Sequence, residues 1–212
     1  MTSRTQQQRS PQKRSTETQT AILKASLSVF AQFGFEGAST RFIAEQAGVN
    51  HNLIRHHFGN KEELWKATAA AVFERYSERI RQRLQGLEGV DVPTQTKLLL
   101  KEFILFSAET PEFHRFMMQA NQSDPNRLIW LVRSFLLQGS EQEIELFQVA
   151  QDADIFVEGN SGLLRYMFIG AATSIFTFAA EFAQITGNDA FDPAIIDEHI
   201  DLVLKVFCKE NL

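Results

Sequence analysis

Asn50, His51, Asn52, Arg55 and His56 bring side chains suited to nucleic acid together in one short stretch. Asparagine and arginine can pair with base edges, and arginine also grips phosphate. His51, Asn52, Arg55 and His56 crowd the exposed side of a helix barely two turns long, and no acidic residue stands between Glu45 and Glu62. A buried helix does not carry such a set, and an ordinary solvated face mixes both signs of charge. Other chemistries fit less well. His51, His56 and His57 stand five and six positions apart, whereas metal ligands on one side of a helix recur at three or four. Glu141, Glu143 and Glu145 advance in steps of two, which turns their carboxylates to different sides of a helix. The chain has no glycine-rich phosphate loop, no G-x-S-x-G and no H-E-x-x-H. No catalytic residue, metal or cofactor is therefore expected.

The elements that would present these residues can be read around them. Ser39 is a good N-cap for a helix whose apolar positions are Phe42, Ile43, Ala44 and Ala47. Gly48 then ends that helix, because glycine takes the left-handed conformation of a C-terminal cap without a Cβ penalty. Val49 turns inward, and Asn50 caps a second short helix carrying Leu53 and Ile54 and reaching His57. Ala44 leaves room for the two helices to cross, and Ile54 closes their contact. Two helices crossing over such a turn form a helix-turn-helix, whose second helix enters the DNA major groove. A helical hairpin inside a core has the same apolar pattern, but its outward residues would not be these.

The segment resembles the TetR family of transcriptional regulators. The resemblance rests on Ile22-Leu23-Lys24-Ala25 through Phe30-Ala31-Gln32-Phe33-Gly34, on the I-A-x-x-A-G-V run from Ile43 to Val49, and on H-H-F-x-x-K-E-E-L from His56 to Leu64. It covers residues 17–77 closely and the remainder in outline. Leu53 and Arg55 replace a threonine and a tyrosine usual in the family's recognition helix. The family tyrosine touches a phosphate, a role that an arginine can fill with full charge.

The 212 residues suffice for one or two domains with a real core. A hydrophobic share of 44% and a charged share of 22% are those of a soluble globular protein. The most apolar segment, Met167 to Ala183, is interrupted by Gly170, Thr173, Ser174, Thr177 and Glu181, so no membrane span is expected. A polar N-terminus without a signal-peptide core points to the cytoplasm. The single cysteine, Cys208, excludes an internal disulfide and a cysteine-built zinc site.

Net charge is −5, an odd value for a DNA binder until it is divided along the chain. Residues 1–66 hold nine Lys and Arg against five Asp and Glu, and residues 67–212 hold twelve against twenty-one. Positive charge thus sits with the proposed DNA-binding part. Residues 1–16 are expected to be a disordered basic arm with Arg4, Arg9, Lys13 and Arg14. A DNA-binding domain of three helices follows over 17–66, its first helix running from about Thr18 to Phe33 with Ile22, Ala25, Val29, Phe30 and Phe33 inward, and Phe58 plugging its core. A fourth helix, Lys61 to about Leu87, carries Leu64, Trp65, Thr68, Val72, Phe73, Tyr76 and Ile80 inward and opens a helical effector-binding and dimerisation domain over 67–212. Further helices are expected at about Thr94–Ala108, Pro111–Asn121, Pro125–Ala150 (with Gly139-Ser140 as a kink), Leu163–Thr186 and Pro193–Lys209. The fold class is all-α.

Fourteen of the nineteen phenylalanines lie after residue 66. They suit either a core or a pocket for an apolar or aromatic small molecule. The resemblance implies an effector site among the middle helices, with Phe103, Phe106, Met117, Trp130 and Phe168 as lining residues and Asn121, Arg133 and Arg165 as polar anchors. Ala171, Ala172, Ile175, Ala179 and Phe182, with Ile196, Ile200, Val203 and Phe207, are read as the interface of a two-fold dimer. In the expected complex, Asn50–His57 enters a palindromic operator in double-stranded DNA. Ser39, Thr40, Arg41 and Lys61 fasten the domain to phosphates, and His51, Asn52, Arg55 or His56 read bases. The competing reading is a helical ligand-binding or partner-docking protein whose helix-turn-helix no longer binds DNA.

Overall fold

The computed structural model describes residues 11–209, and within them the fold is helical. The first helix, α1, spans Pro11–Gly37. It begins well before Thr18, so the part of the expected arm from residue 11 onward is helical, while Arg4 and Arg9 lie outside the described residues. Proline at the first position costs no hydrogen bond, and Gln12, Lys13 and Arg14 are good helix formers. Thr16, Thr18 and Thr20 each donate Oγ1 to the carbonyl four residues back, at 3.1, 2.8 and 3.0 Å. Regular helix ends at Gly34, whose φ of 67° lies in the left-handed region. Ile22, Ser26, Val29 and Phe30 face inward. Phe33 does not: it is exposed and packs edge-on against Phe42 at 5.9 Å.

Two short helices follow, α2 (Thr40–Gln46) and α3 (Asn52–Phe58), then the long α4 (Lys61–Gln85). The chain divides into two compact units between Ala71 and Val72, a little past the expected boundary. In the first unit, Ile43, Ala44, Ile54 and Leu64 are each at most 2% exposed and form the core with Ile22 and Phe30. Phe58 is only half-buried.

The second unit holds α5 (Val92–Glu109), α6 (Pro111–Asn121), α7 (Pro125–Leu131), a π-helical turn (Val132–Leu136), α8 (Leu137–Asp152), α9 (Ser161–Thr177), α10 (Ala179–Thr186) and α11 (Pro193–Phe207). Two expected helices are thus divided. The irregularity in the Pro125–Ala150 segment is the π turn, where Phe135 stacks on Phe73 at 4.8 Å, and not Gly139-Ser140, which lies inside α8. The Leu163–Thr186 segment bends by 71° after Thr177. The bend follows Thr173-Ser174-Ile175-Phe176-Thr177-Phe178, a run of β-branched, aromatic and hydroxyl residues that resist helix less weakly than they favour it. No single helix among the described residues is long and apolar enough to cross a membrane. An isolated bridge, Phe156 with Cys208, ties the loop after α8 to the end of α11, with Val157 N–H donating to the Phe207 carbonyl at 2.9 Å.

Most phenylalanines of this unit build its core. Phe147 stacks on Phe156 at 4.6 Å, Phe156 on Phe207 at 5.9 Å, and Phe168 meets Phe207 and Phe103 at 5.6 and 5.5 Å. Leu100, Ile104, Ala172, Phe176, Ile200 and Val203 complete it. Ala172, Ile200, Val203 and Phe207 are therefore buried inside the protomer, not available to a partner as the sequence reading had them. The exposed apolar residues of the same helices are Leu163, Tyr166 and Met167 on α9, Ile185 on α10, and Leu202 and Val206 on α11.

Candidate nucleic-acid interface and ligand cavity

The turn between α2 and α3 is fixed by hydrogen bonds that its residue types dictate. Ser39 Oγ accepts from Phe42 N–H at 3.5 Å at the start of α2. At its end, Val49 N–H reaches the Ala44 carbonyl and Gly48 N–H the Glu45 carbonyl, both at 3.0 Å. This is the Schellman arrangement, and it requires the left-handed residue that Gly48 supplies at φ 65°. Asn50 Oδ1 then accepts from Asn52 N–H at 2.9 Å, and Asn60 Oδ1 from Glu63 N–H at 2.9 Å, starting α3 and α4. Asn50 thus serves as a cap, and its side-chain oxygen is occupied in that role.

Arg41, Asn50, His51, Asn52, Arg55 and His56 are exposed, as is Ser39. His51 Nε2 lies 3.1 Å from Thr40 Oγ1, which pins the start of α3 to that of α2. Lys61 is more constrained than a free phosphate ligand: Nζ donates to the Glu36 carbonyl at 3.3 Å and lies 4.6 Å from the Phe35 ring centre. His57, half-buried, lies 3.4 Å from Gln19 Nε2 on α1. The free surface of α3 is therefore Asn52, Arg55 and His56, flanked by His51.

The expected effector residues scatter. Met117 and Asn121 line a cavity of about 290 Å³ between α6 and α9, together with His114, Met118, Gln122, Ile169, Thr173 and Thr177. Phe106 and Phe168 are buried in packed core, with Phe103 half-buried against Tyr76, His114 and Phe168. Trp130 packs on Phe135 at 5.5 Å, and Arg133 is exposed on the π turn. Arg165 donates from Nε to Glu143 at 2.6 Å and so is ion-paired. Burial drives the Tyr76 phenol strongly upward, with the Glu143 carboxylate adding to it. The residues that the sequence reading missed, His114, Thr173 and Thr177 above all, carried one weak signal: polar side chains at inward positions of otherwise apolar helices.

A larger open groove of about 640 Å³ runs beside Arg75, Glu78, Arg79, Gln82, Arg83 and Glu102. Its charges compensate each other. Arg79 pairs with Glu102 and, at 2.5 Å, with Glu109, and Arg83 pairs with Glu102 at 3.1 Å. The alternating charges of α4 are thus cross-braces to α5 as well as a solvated face.

A capped helix-turn-helix with a cationic, acid-free second helix, ahead of a separate helical unit, defines a DNA-binding transcriptional regulator. The pattern described as "Bacterial regulatory proteins, tetR family" matches residues 22–68. The regulator BetI of Vibrio vulnificus is 24% identical over 173 residues, spanning 79% of this chain and 87% of its own. UidR of Escherichia coli is 34% identical over 74 residues, 35% of this chain and 38% of its own. The fatty acid degradation regulator FadR from Bacillus halodurans superposes with a TM-score of 0.64 at 20% identity, over 94% of this chain and 97% of that one. Over residues 22–68 the chain thus carries the DNA-binding pattern of the tetR family of transcriptional regulators.

Proposed function

We propose that this regulator is a ligand-responsive repressor that binds a palindromic operator as a homodimer. The observation that carries the reading is the surface of α3: His51, Asn52, Arg55 and His56 stand exposed on a helix held at both ends by Asn50 and Gly59. Asn52 and His51, near the start of α3, would meet base edges, and Arg55, one turn later, a phosphate. Ser39, Thr40 and Arg41 stand at the start of α2, where backbone contacts would fix the register, with Lys61 bracing the same end of the domain.

Dimerisation follows from specificity, since one short helix reads too few base pairs. Leu163, Tyr166 and Met167 lie at helical spacing on α9, and Leu202 and Val206 on α11, all more than half exposed. Two such faces brought together by a two-fold axis would bury apolar surface that a lone protomer leaves wet. The cavity between α6 and α9 would take the effector. Repression is the action named for AcnR of Corynebacterium efficiens, 39% identical over 59 residues.

Mobility shifts on genomic fragments at graded salt test the core of this reading, with footprinting of the retained DNA. The expected result is a near-palindrome whose half-site centres are ~34–36 Å apart, and binding that weakens steeply with salt. A chain that retains no fragment at low salt would instead be a ligand- or partner-binding protein.

A further inference from the structure

Two side chains lining the cavity between α6 and α9 are polar and more than nine-tenths buried, His114 at 8% and Thr173 at 7% exposure. His114 Nε2 lies 2.8 Å from Ser107 Oγ, and Ser107 Oγ donates to the Phe103 carbonyl at 2.7 Å. A hydroxyl carries one proton, so the imidazole must supply the proton in the contact with Ser107. Were the serine to donate to the ring instead, its oxygen would face the Phe103 carbonyl without a proton between them. Burial pushes the imidazole down to about 4, so at neutral pH the ring carries that one proton only. Nδ1 is left as a bare acceptor. The ring's hydrogen bond to Ser107 runs through Nε2, and Thr173 on α9 lines the same cavity.

The remaining walls define what else the cavity accepts. Met117, Met118 and Ile169 supply apolar surface, Asn121, Gln122 and Thr177 add neutral polar groups toward the rim, and no Lys, Arg, Asp or Glu lines it. A charged head group placed against the buried His114 and Thr173 would lose part of its hydration without gaining a counter-charge. A carboxylate would in addition meet in Nδ1 a second acceptor. The volume, about 290 Å³, holds roughly ten water-sized groups at ~30 Å³ each.

We propose that this cavity binds an uncharged alcohol or phenol, whose hydroxyl donates to His114 Nδ1 and accepts from Thr173 Oγ1 while its apolar body lies on Met117, Met118 and Ile169. The effector class so assigned rests on the reading of the protein as a ligand-responsive regulator. The adaptable thioethers of Met117 and Met118 fit chains of differing shape, so the head group sets the selectivity.

Isothermal titration of the full chain with 1-octanol, ionised octanoate and octylammonium tests the assignment, followed by mobility shifts on the same preparations. Octanol binds, and both ions bind at least about tenfold more weakly. Thr173→Val keeps the shape and lowers octanol affinity roughly three- to tenfold, and Thr173→Ser restores it. Octanoate or octylammonium binding as tightly as octanol overturns the proposal, as does Thr173→Val with unchanged octanol affinity. Octanol that binds but leaves DNA bound upholds the ligand class and overturns the regulatory reading. A chain that binds DNA but not octanol overturns the ligand class and leaves the DNA-binding reading standing.

Discussion

Replacing Gly48 isolates the turn on which the DNA-binding surface depends. Its φ of 65° is left-handed, and a Cβ built there meets nothing within 4 Å. A side chain at this position is therefore penalised by backbone conformation alone, not by collision. For an ordinary L-residue that penalty is ~1–2 kcal/mol, and a β-branched one stands at the upper end. Two hydrogen bonds depend on the conformation, Val49 N–H to Ala44 and Gly48 N–H to Glu45, both 3.0 Å. Gly48→Val should raise the open population of the turn roughly five- to thirtyfold. Amide exchange at Val49 and Gly48 should quicken by that factor, while amides of α9 and α11 keep their protection. Gly48→Asn is the control, since asparagine visits the left-handed region routinely and should lose only part of this. α3 starts four residues later, at Asn52, so operator affinity should fall in the order Gly, Asn, Val. Equal exchange in the Val and Asn variants, or wild-type operator affinity in Gly48→Val, would refute the argument.

Other outcomes follow from the same geometry. Arg55→Ala should weaken specific and non-specific DNA alike and flatten the log–log salt slope by ~0.9 per protomer; an unchanged slope with relaxed preference at one guanine would make Arg55 a base reader. His114 titrates near 4 in the folded chain against 6.5 in its ordinary state. The unfolded chain therefore binds more protons between those values, and stability is complete above ~pH 6.5 and is lost as pH falls toward ~4, by on the order of 3 kcal/mol for this residue. His199, pushed down chiefly by burial, adds a loss of the same sign. Urea midpoints across that range should slope less in His114→Gln, and an identical slope would acquit His114. Phe207→Ala, in the core at 3% exposure, should cost ~3–5 kcal/mol of protomer stability. Val206→Glu, at 65% exposure, should leave the protomer folded yet shift sedimentation toward the monomer; a Val206→Glu chain that sediments as wild type removes α11 from the dimer interface.

The first unit was legible in the sequence because its punctuation is local. Ser39, Gly48, Asn50 and Asn60 each act on backbone groups within five residues, and the structure finds all of them doing so. The cationic, acid-free face of α3 was equally plain, since its side chains answer to solvent and not to packing. The second unit was legible only as helices. In α9 apolar residues occupy nearly every side, from Leu163, Tyr166 and Met167 to Phe168, Ala172 and Phe176, so periodicity cannot tell the core face from the outer one. The sequence reading chose Ala172, Ile200, Val203 and Phe207 for a partner, and packing took them inward. The same holds for the phenylalanines: which become core and which line a cavity is decided by the distances between α6, α8, α9 and α11. His114 shows the limit most directly. Its type and position could be read from the chain, but its proton depends on Ser107 seven residues away and its solvent on α9, and only the folded packing brings Thr173 to the same cavity.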